Sequence, residues 1–179
     1  MSSWKIHPDT QYYFCTTSIT KWYPVFTRIE YFSLIINSLI FCQRNKDLSI
    51  HAYVIMLNHM HLIISAGKPE SIPNIFRDLK RHTSSEISSL LKTHGKSNAL
   101  RIFKKTANKS NKDQEYKVWQ SGYHPISLET EHFFKQKLNY IHHNPVHKGY
   151  VNEPTHWRYS SAANYAGYDD VPLQVDKIF

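Results

Sequence analysis

Residues 50–66 read IHAYVIMLNHMHLIISA, and this run sets the fold class of the chain. It is apolar along most of its length and rich in β-branched residues, which favours strands over a helix. Asparagine tolerates turn conformations, including positive φ, so the Leu57-Asn58 pair is predicted to form a tight turn. The run therefore predicts a β-hairpin with strands at 50–56 and 59–66.

Further strands and helices are predicted on both sides of this hairpin. They are a strand at 12–18, a helix at about 28–45, a helix from 71 to near 95, a basic loop at about 96–117, and a strand at 118–128 interrupted at Pro125. A last helix is predicted from the N-cap residue Thr130 to Pro145, because the residue before a proline avoids helical angles. This order predicts one domain over 1–179 with an α+β fold, an antiparallel sheet with helices mainly on one face.

The composition is globular and basic, with 22 Lys and Arg against 14 Asp and Glu and a formal net charge of +8. Such a charge favours binding to polyanions, with nucleic acid the first candidate and an anionic membrane surface the second. The stretch Leu34–Phe41 is too short to span a bilayer, and the start of the chain lacks an apolar signal core. Cys15 and Cys42 lie among apolar neighbours, which is typical of reduced, buried cysteines in the cytoplasm.

The first candidate site residues are His59 and His61. Side chains alternate between the faces of a strand, so both imidazoles are predicted to point the same way, with Met60 directed into the core. Two imidazoles at this spacing can converge on one divalent metal. In a chain with twelve histidines the spacing also arises by chance, so solvent-facing or satisfied histidines are the alternative.

The second group is Tyr140 and Asn144, which lie at i and i+4 on one side of the last helix. Tyr140 falls well round the helix from the apolar stripe of Phe134, Leu138 and Ile141, so it is either a rim residue or a functional one. A phenol is little ionised at neutral pH, so a tyrosine nucleophile needs help from a metal that neutralises phosphate charge. The Asn144 carbonyl could complete the shell of such a metal.

Candidate DNA-binding residues lie on the second helix and in the basic segment. Arg77, Lys80 and Arg81 form one helix face, and Lys104 and Lys105 follow, all suited to phosphate contacts. An ordinary solvated face is the alternative. Aromatic residues such as Trp22 and Trp119 could stack on unpaired bases.

Six segments resemble the HUH single-tyrosine transposases, closest to the branch associated with repetitive extragenic palindromes (REP), within the IS200-like transposases. They follow the order expected of that family and span nearly the whole chain: 16–26, 51–62, 76–84, 118–124, 139–146 and 157–161. The chain departs from the family pattern at Leu57, where proline is frequent, and at Pro125, where an acidic residue is usual.

The resemblance implies a ferredoxin-like fold that binds single-stranded or hairpin DNA. It implies Mg²⁺ or Mn²⁺ held by His59, His61 and Asn144, and attack of Tyr140 on a phosphodiester to give a covalent 5′-phosphotyrosine. The segment with Trp119, Gln120 and His124 is expected to contribute to DNA binding. Such an enzyme is expected in the cytoplasm with the nucleoid, without membrane contact, as a monomer or a homodimer.

Three other functions are compatible with these residues. The first is a sequence-specific DNA-binding protein on the same fold that has lost or repurposed catalysis. The second is an RNA-binding protein with incidental histidines, which would show stacking positions on its sheet face. The third is a structural zinc site, which lacks a complete set of Cys and His ligands.

Overall fold

The computed structural model describes residues 12–110 and 115–178. Its elements begin and end within two residues of the predicted ones for the first strand, the first helix, the hairpin and the second helix. The elements are β1 (Tyr13–Ser18), α1 (Ile29–Asn45), β2 (Leu48–Ile55), β3 (His59–Ala66), α2 (Ile72–Thr93), α3 (Ser97–Ser110), β4 (Ile126–Ser127), α4 (Glu131–His147) and α5 (Ala162–Tyr165).

The sheet has the strand order β2-β3-β1-β4, and each neighbouring pair is antiparallel. The elements up to β4 alternate as βαββαβ, with α3 added after the second helix, and this order on such a sheet is the ferredoxin-like arrangement. The α+β fold class predicted from the sequence is therefore confirmed.

The two faces of the sheet are covered by different helices. Most of the buried core, with α1, α2 and α3, lies on the first face, and it includes Met60, Leu62 and Ile64 of β3. The second face carries a smaller core in which α4 contributes Phe134 and Ile141. Because side chains of a strand alternate, β3 directs its two histidines to this second face, beneath α4.

The predicted loop at 96–117 is wrong over 97–110, where the chain forms α3. Ala99, Phe103 and Ala107 recur at every fourth position and are buried, so one apolar stripe packs α3 against the first core. The basic residues between them face outward, and their dominance in the sequence hides the amphipathic pattern.

The prediction that Pro145 ends the last helix is also wrong, since α4 continues to His147. Proline removes one hydrogen-bond donor, which is a small loss in a last turn that buries both Asn144 and Pro145. The helix instead ends at His147, and Gly149 two residues later has a φ of +70°, which suits the left-handed residue that follows many helices. Thr130 is confirmed as its N-cap, with the hydroxyl oxygen accepting from Phe133 N–H at 3.1 Å.

The predicted strand at 118–128 is regular only at Ile126–Ser127. Residues before it follow the edge of β1 irregularly: Gln120 N–H donates to the Ser18 carbonyl, and Thr16 N–H donates to the Tyr123 carbonyl. Gly122 and His124 have positive φ, which interrupts the ladder more than Pro125 alone. Among the described residues, no helix has both the length and the apolar character needed to cross a membrane.

Candidate active site

His59 and His61 lie side by side on the second face of the sheet, as the alternation of β3 predicts. Their ring centroids are 4.9 Å apart. His61 is buried, and its ring stacks on Phe14 of the neighbouring strand β1 at 5.3 Å. His59 is half-buried at the start of the strand. The pair therefore forms one polar patch at the end of the sheet.

Each of the two imidazole rings is oriented by a hydrogen bond at its Nδ1 atom. The Asn58 amide Nδ2 donates to the Trp22 carbonyl, so its Oδ1 accepts from His59 Nδ1–H at 2.8 Å. The Thr16 hydroxyl forms a hydrogen bond with His61 Nδ1, also at 2.8 Å, because these two residues lie opposite each other on β1 and β3. Both Nε2 atoms thus remain for other partners, and in the described part of the chain buried His61 Nε2 has none.

Both imidazoles are neutral near physiological pH. Burial, with a smaller contribution from the charge of Lys148, lowers the pKa of His59 to about 4. Burial, followed by His59 and Lys137, lowers the pKa of His61 to about 3. A neutral imidazole with a free Nε2 lone pair is the form that binds a metal ion.

Tyr140 reaches this patch from α4, and Asn144 lies one turn later on the same side of that helix. The Tyr140 ring lies 5.3 Å from the His61 ring and 6.0 Å from the Phe14 ring, and the side chain is 43% exposed. Asn144, one turn later, is buried, and its Oδ1 has no hydrogen-bond partner among the residues described. The structure therefore brings the predicted phenol to the histidine pair and leaves it open to solvent.

Two lysines extend the same stripe of α4. Lys137 lies one turn before Tyr140, with its ammonium 5.0 Å from the Phe14 ring and 5.9 Å from the Tyr140 ring. Lys148 lies one turn after Asn144, close enough to His59 for its charge to depress the pKa of that imidazole. Asn144 thus lies on a stripe that passes from His61 towards His59.

These residues fit a divalent metal with open coordination positions. Two imidazole nitrogens and an amide oxygen suit Mn²⁺ and can serve Mg²⁺, with phosphate or water as the remaining ligands. The orphaned Nε2 of His61 and Oδ1 of Asn144 are the observations that favour this assignment. The described ranges contain no cluster of three or more His, Cys, Asp or Glu, so a closed tetrahedral zinc site does not fit them.

Two of the predicted DNA-binding residues have structural roles instead. Lys80 is half-buried, and its ammonium donates to the Gln120 carbonyl at 2.8 Å and to the Gly122 carbonyl. Burial, with the nearby charge of Lys117, lowers the pKa of Lys80 to about 8. Trp119 is 4% exposed and donates its indole N–H to the Thr83 hydroxyl at 2.9 Å, so it cannot stack on a base.

The other predicted DNA-binding residues remain accessible to differing degrees. Arg77 and Arg81 are exposed, and both approach Asp78. Gln120 is half-buried and donates its amide to the Ile19 carbonyl, whereas His124 is exposed beside Gly122. Lys104 and Lys105 face solvent on α3.

The sequence interpretation missed four residues that the structure places at the patch: Thr16, Asn58, Lys137 and Lys148. Thr16 depends on the register between β1 and β3, for which the sequence carries no signal. The two lysines share helical spacing with Tyr140 and Asn144, so that pattern was available. The sequence predicts Asn58 only as a turn residue that tolerates positive φ, but its φ is not positive, and its side chain has the structural role.

The fold and the patch define a ferredoxin-like α+β protein in which a strand histidine pair faces a tyrosine from a helix on the same side. Residues 24–98 match the model of a family described as Transposase IS200 like, a segment that includes both histidines but not Tyr140. No protein of curated function matches the chain significantly in sequence.

The solved structure of a REP-associated tyrosine transposase bound to a REP hairpin shares the fold. The TM-score is 0.67 at 17% identity, over 98% of this chain and 93% of the other. A Deinococcus radiodurans R1 protein assigned as a transposase matches at a TM-score of 0.45 and 17% identity, over 79% of this chain and 95% of the other. Residues 24–98 thus resemble the IS200-like transposases in sequence, and the chain as a whole shares the fold of a solved tyrosine transposase.

Proposed function

We propose that the chain is a metal-dependent single-stranded DNA endonuclease and strand transferase that acts through a covalent 5′-phosphotyrosine on Tyr140. The observation that carries this proposal is the contact between the half-exposed Tyr140 ring and His61, whose buried, neutral imidazole has an unused Nε2. A tyrosine nucleophile at the edge of a set of candidate metal ligands is the arrangement expected for attack on the phosphorus atom of one phosphodiester.

The substrate class follows from the surroundings of Tyr140. Lys137 and Lys148 flank the phenol along α4, Lys137 half-buried and Lys148 exposed, so a phosphodiester at Tyr140 would lie between two ammonium groups. The REP hairpin bound by the structural relative supports a hairpin with single-stranded flanks as substrate. Exposed lysines of α3 and the arginines of α2 would contact the rest of such a hairpin.

In the proposed step the Tyr140 oxygen forms a bond to phosphorus, and the bond from phosphorus to the 3′ oxygen breaks. The phenol proton passes to solvent, and the leaving strand ends in a 3′-hydroxyl. Attack of that hydroxyl, or of another, on the phosphotyrosine reverses these changes and rejoins DNA. The ester bond is conserved at each stage, so strand transfer needs no ATP.

His59, His61 and Asn144 would hold Mg²⁺ or Mn²⁺, which neutralises charge on the phosphate oxygens and orients the phosphodiester. With each Nδ1–H donated to Thr16 or Asn58, both Nε2 lone pairs would be directed towards that position. All of these residues belong to one chain, so a homodimer is not required to complete the proposed site. Action on chromosomal DNA would place the protein with the nucleoid in the cytoplasm.

The test is the formation of a covalent protein–DNA adduct. The wild-type chain, incubated with Mn²⁺ and a 5′-flanked hairpin oligonucleotide, should give an adduct of reduced mobility in denaturing gels. Tyr140→Phe should give none. Tyr150→Phe is the matched control, since Tyr150 has the same 43% exposure outside the patch, and it should react like wild type.

The outcome separates the proposal from its main alternative. An adduct that persists in Tyr140→Phe contradicts the assignment of the nucleophile. Hairpin binding with no adduct, across DNA sequences and with either metal, would indicate a DNA-binding protein without cleavage activity.

A further inference from the structure

Trp22 lies at the end of a row of four rings that contains the proposed catalytic groups. Its indole centroid is 5.9 Å from the His59 ring, which is 4.9 Å from the His61 ring, which is 5.3 Å from the Tyr140 ring. Trp22 is 56% exposed, so an aromatic surface faces solvent beside His59.

The backbone presents this side chain at an energetic cost. Lys21 and Trp22 have φ of +58° and +54°, the only adjacent pair of non-glycine residues with positive φ in the described ranges. Side chains with a Cβ are disfavoured in the left-handed region, and such conformations persist where surrounding contacts impose them, often at functional sites. A surface tryptophan without a role has no need of this conformation.

A single side chain ties Trp22 to the histidine pair. The Asn58 amide Nδ2 donates to the Trp22 carbonyl at 2.9 Å, while its Oδ1 accepts from His59 Nδ1. The Trp22 N–H donates to the Ile19 carbonyl, which anchors the segment to the end of β1. The indole is therefore held in a defined place relative to His59.

We propose that Trp22 is a stacking platform for an unpaired nucleobase next to the phosphodiester held at the His59–His61 pair; this rests on the proposed function. A flat, exposed indole offers the π surface on which bases of single-stranded DNA stack, and such stacking tolerates any base. Lys21, exposed at the adjacent position, supplies a cation for the backbone of the same nucleotide. Stacking there would hold the flanking strand unpaired while its phosphodiester lies beside Tyr140.

The experiment measures binding in a form of the protein that cannot cleave DNA. In the Tyr140→Phe background and without added metal, fluorescence anisotropy compares a labelled twelve-nucleotide oligothymidylate with an abasic oligomer of the same length. Both ligands carry the same phosphates, so the difference in affinity between them isolates the bases.

Trp22→Ala should weaken binding of oligothymidylate by about five- to 150-fold, the range typical for losing one stacked base. Its affinity for the abasic oligomer should stay unchanged. Trp22→Phe, which retains an aromatic face, should recover most of the loss. Tyr168→Ala is the matched control, because Tyr168 is 57% exposed, and it should bind both oligomers as the parent does.

Equal affinity of the Trp22→Ala protein and its parent for oligothymidylate overturns the proposal, and so does an equal loss on the abasic oligomer. Circular dichroism of each variant shows whether the fold is intact, and Trp22→Leu, which keeps apolar bulk but lacks an aromatic face, takes the place of Trp22→Ala if that variant unfolds; it should show the same selective loss on oligothymidylate. A Trp22-dependent preference for bases, without any adduct from the wild-type chain, would leave the platform standing and remove the nuclease. An adduct from the wild-type chain with no such preference for bases would leave the nuclease standing and remove the platform.

Discussion

Replacement of Thr16 by valine tests how the histidine pair is prepared for a metal. Valine has nearly the same shape as threonine but cannot bond His61 Nδ1, which the Thr16 hydroxyl contacts at 2.8 Å. Without that partner the imidazole loses the bond that orients its ring and that can accept the Nδ1 proton of the tautomer in which Nε2 keeps the lone pair needed for coordination.

The expected magnitude follows from the role of Thr16 as a partner of a ligand. Loss of a hydrogen bond that orients a metal-bound histidine lowers metal affinity by about 10- to 100-fold, equivalent to roughly 1.4–2.8 kcal/mol. The free energy of unfolding should fall by only about 1 kcal/mol, typical of one neutral hydrogen bond.

Thr17 provides a control within the same strand. It is 1% exposed on the opposite face of β1, and its hydroxyl has no hydrogen-bond partner in the part of the chain that the structure describes. Thr17→Val removes an unsatisfied buried polar group, so its stability should be equal to or higher than that of wild type. Its metal affinity should not change.

Isothermal titration calorimetry with Mn²⁺ measures the affinity of wild type and both variants, and thermal denaturation measures their stability. A weaker Mn²⁺ affinity in Thr16→Val alone supports the account. Wild-type affinity in Thr16→Val, or the same loss in Thr17→Val, would refute the reasoning that the Thr16 bond directs His61 Nε2.

Three further outcomes are expected. Lys137→Gln should slow adduct formation by about tenfold or more, because it removes the ammonium beside the phenol. Lys135→Gln, on an outer face of α4, should not slow it. Equal rates of adduct formation for the two variants in gel assays would contradict this. Lys80→Met should lower the free energy of unfolding by about 1–3 kcal/mol in urea titrations, since it leaves two backbone carbonyls without their donor. Arg81→Met should change the free energy of unfolding little. A larger loss of stability in Arg81→Met than in Lys80→Met would contradict the structural role of Lys80. Burial holds the pKa of His51 below its ordinary value, so the stability that this histidine contributes is present above about pH 6.5 and is lost as the pH falls. The His51→Gln protein should therefore lose less free energy of unfolding than wild type between about pH 7 and pH 5. An equal loss in the two proteins would show that His51 is not responsible.

Local periodicity accounts for what the sequence predicts about the candidate site. The alternation of strand residues correctly places His59 and His61 on one face, and helical spacing places Tyr140 and Asn144 on one side of α4. Both relations involve residues within a single element, where geometry follows from spacing alone.

The meeting of these elements is a long-range property. It depends on the register of β1 with β3, which brings Thr16 beside His61, and on α4 covering the second face of the sheet. The same limit applies to Lys80, which its helical spacing predicts as a DNA contact, because that spacing identifies its side of α2 but not the loop that packs there. The basic residues of α3 concealed a helix because their charge dominates its polar face.

The central claim is that His59, His61 and Asn144 share one metal with the Tyr140 hydroxyl facing it. Anomalous scattering from crystals soaked in Mn²⁺ tests this claim most directly. The account predicts a single manganese bound by both Nε2 atoms and by Asn144 Oδ1, on the side of the imidazoles that Tyr140 contacts. Manganese bound elsewhere, or coordination that leaves either imidazole or the Tyr140 side chain apart from the ion, would contradict it.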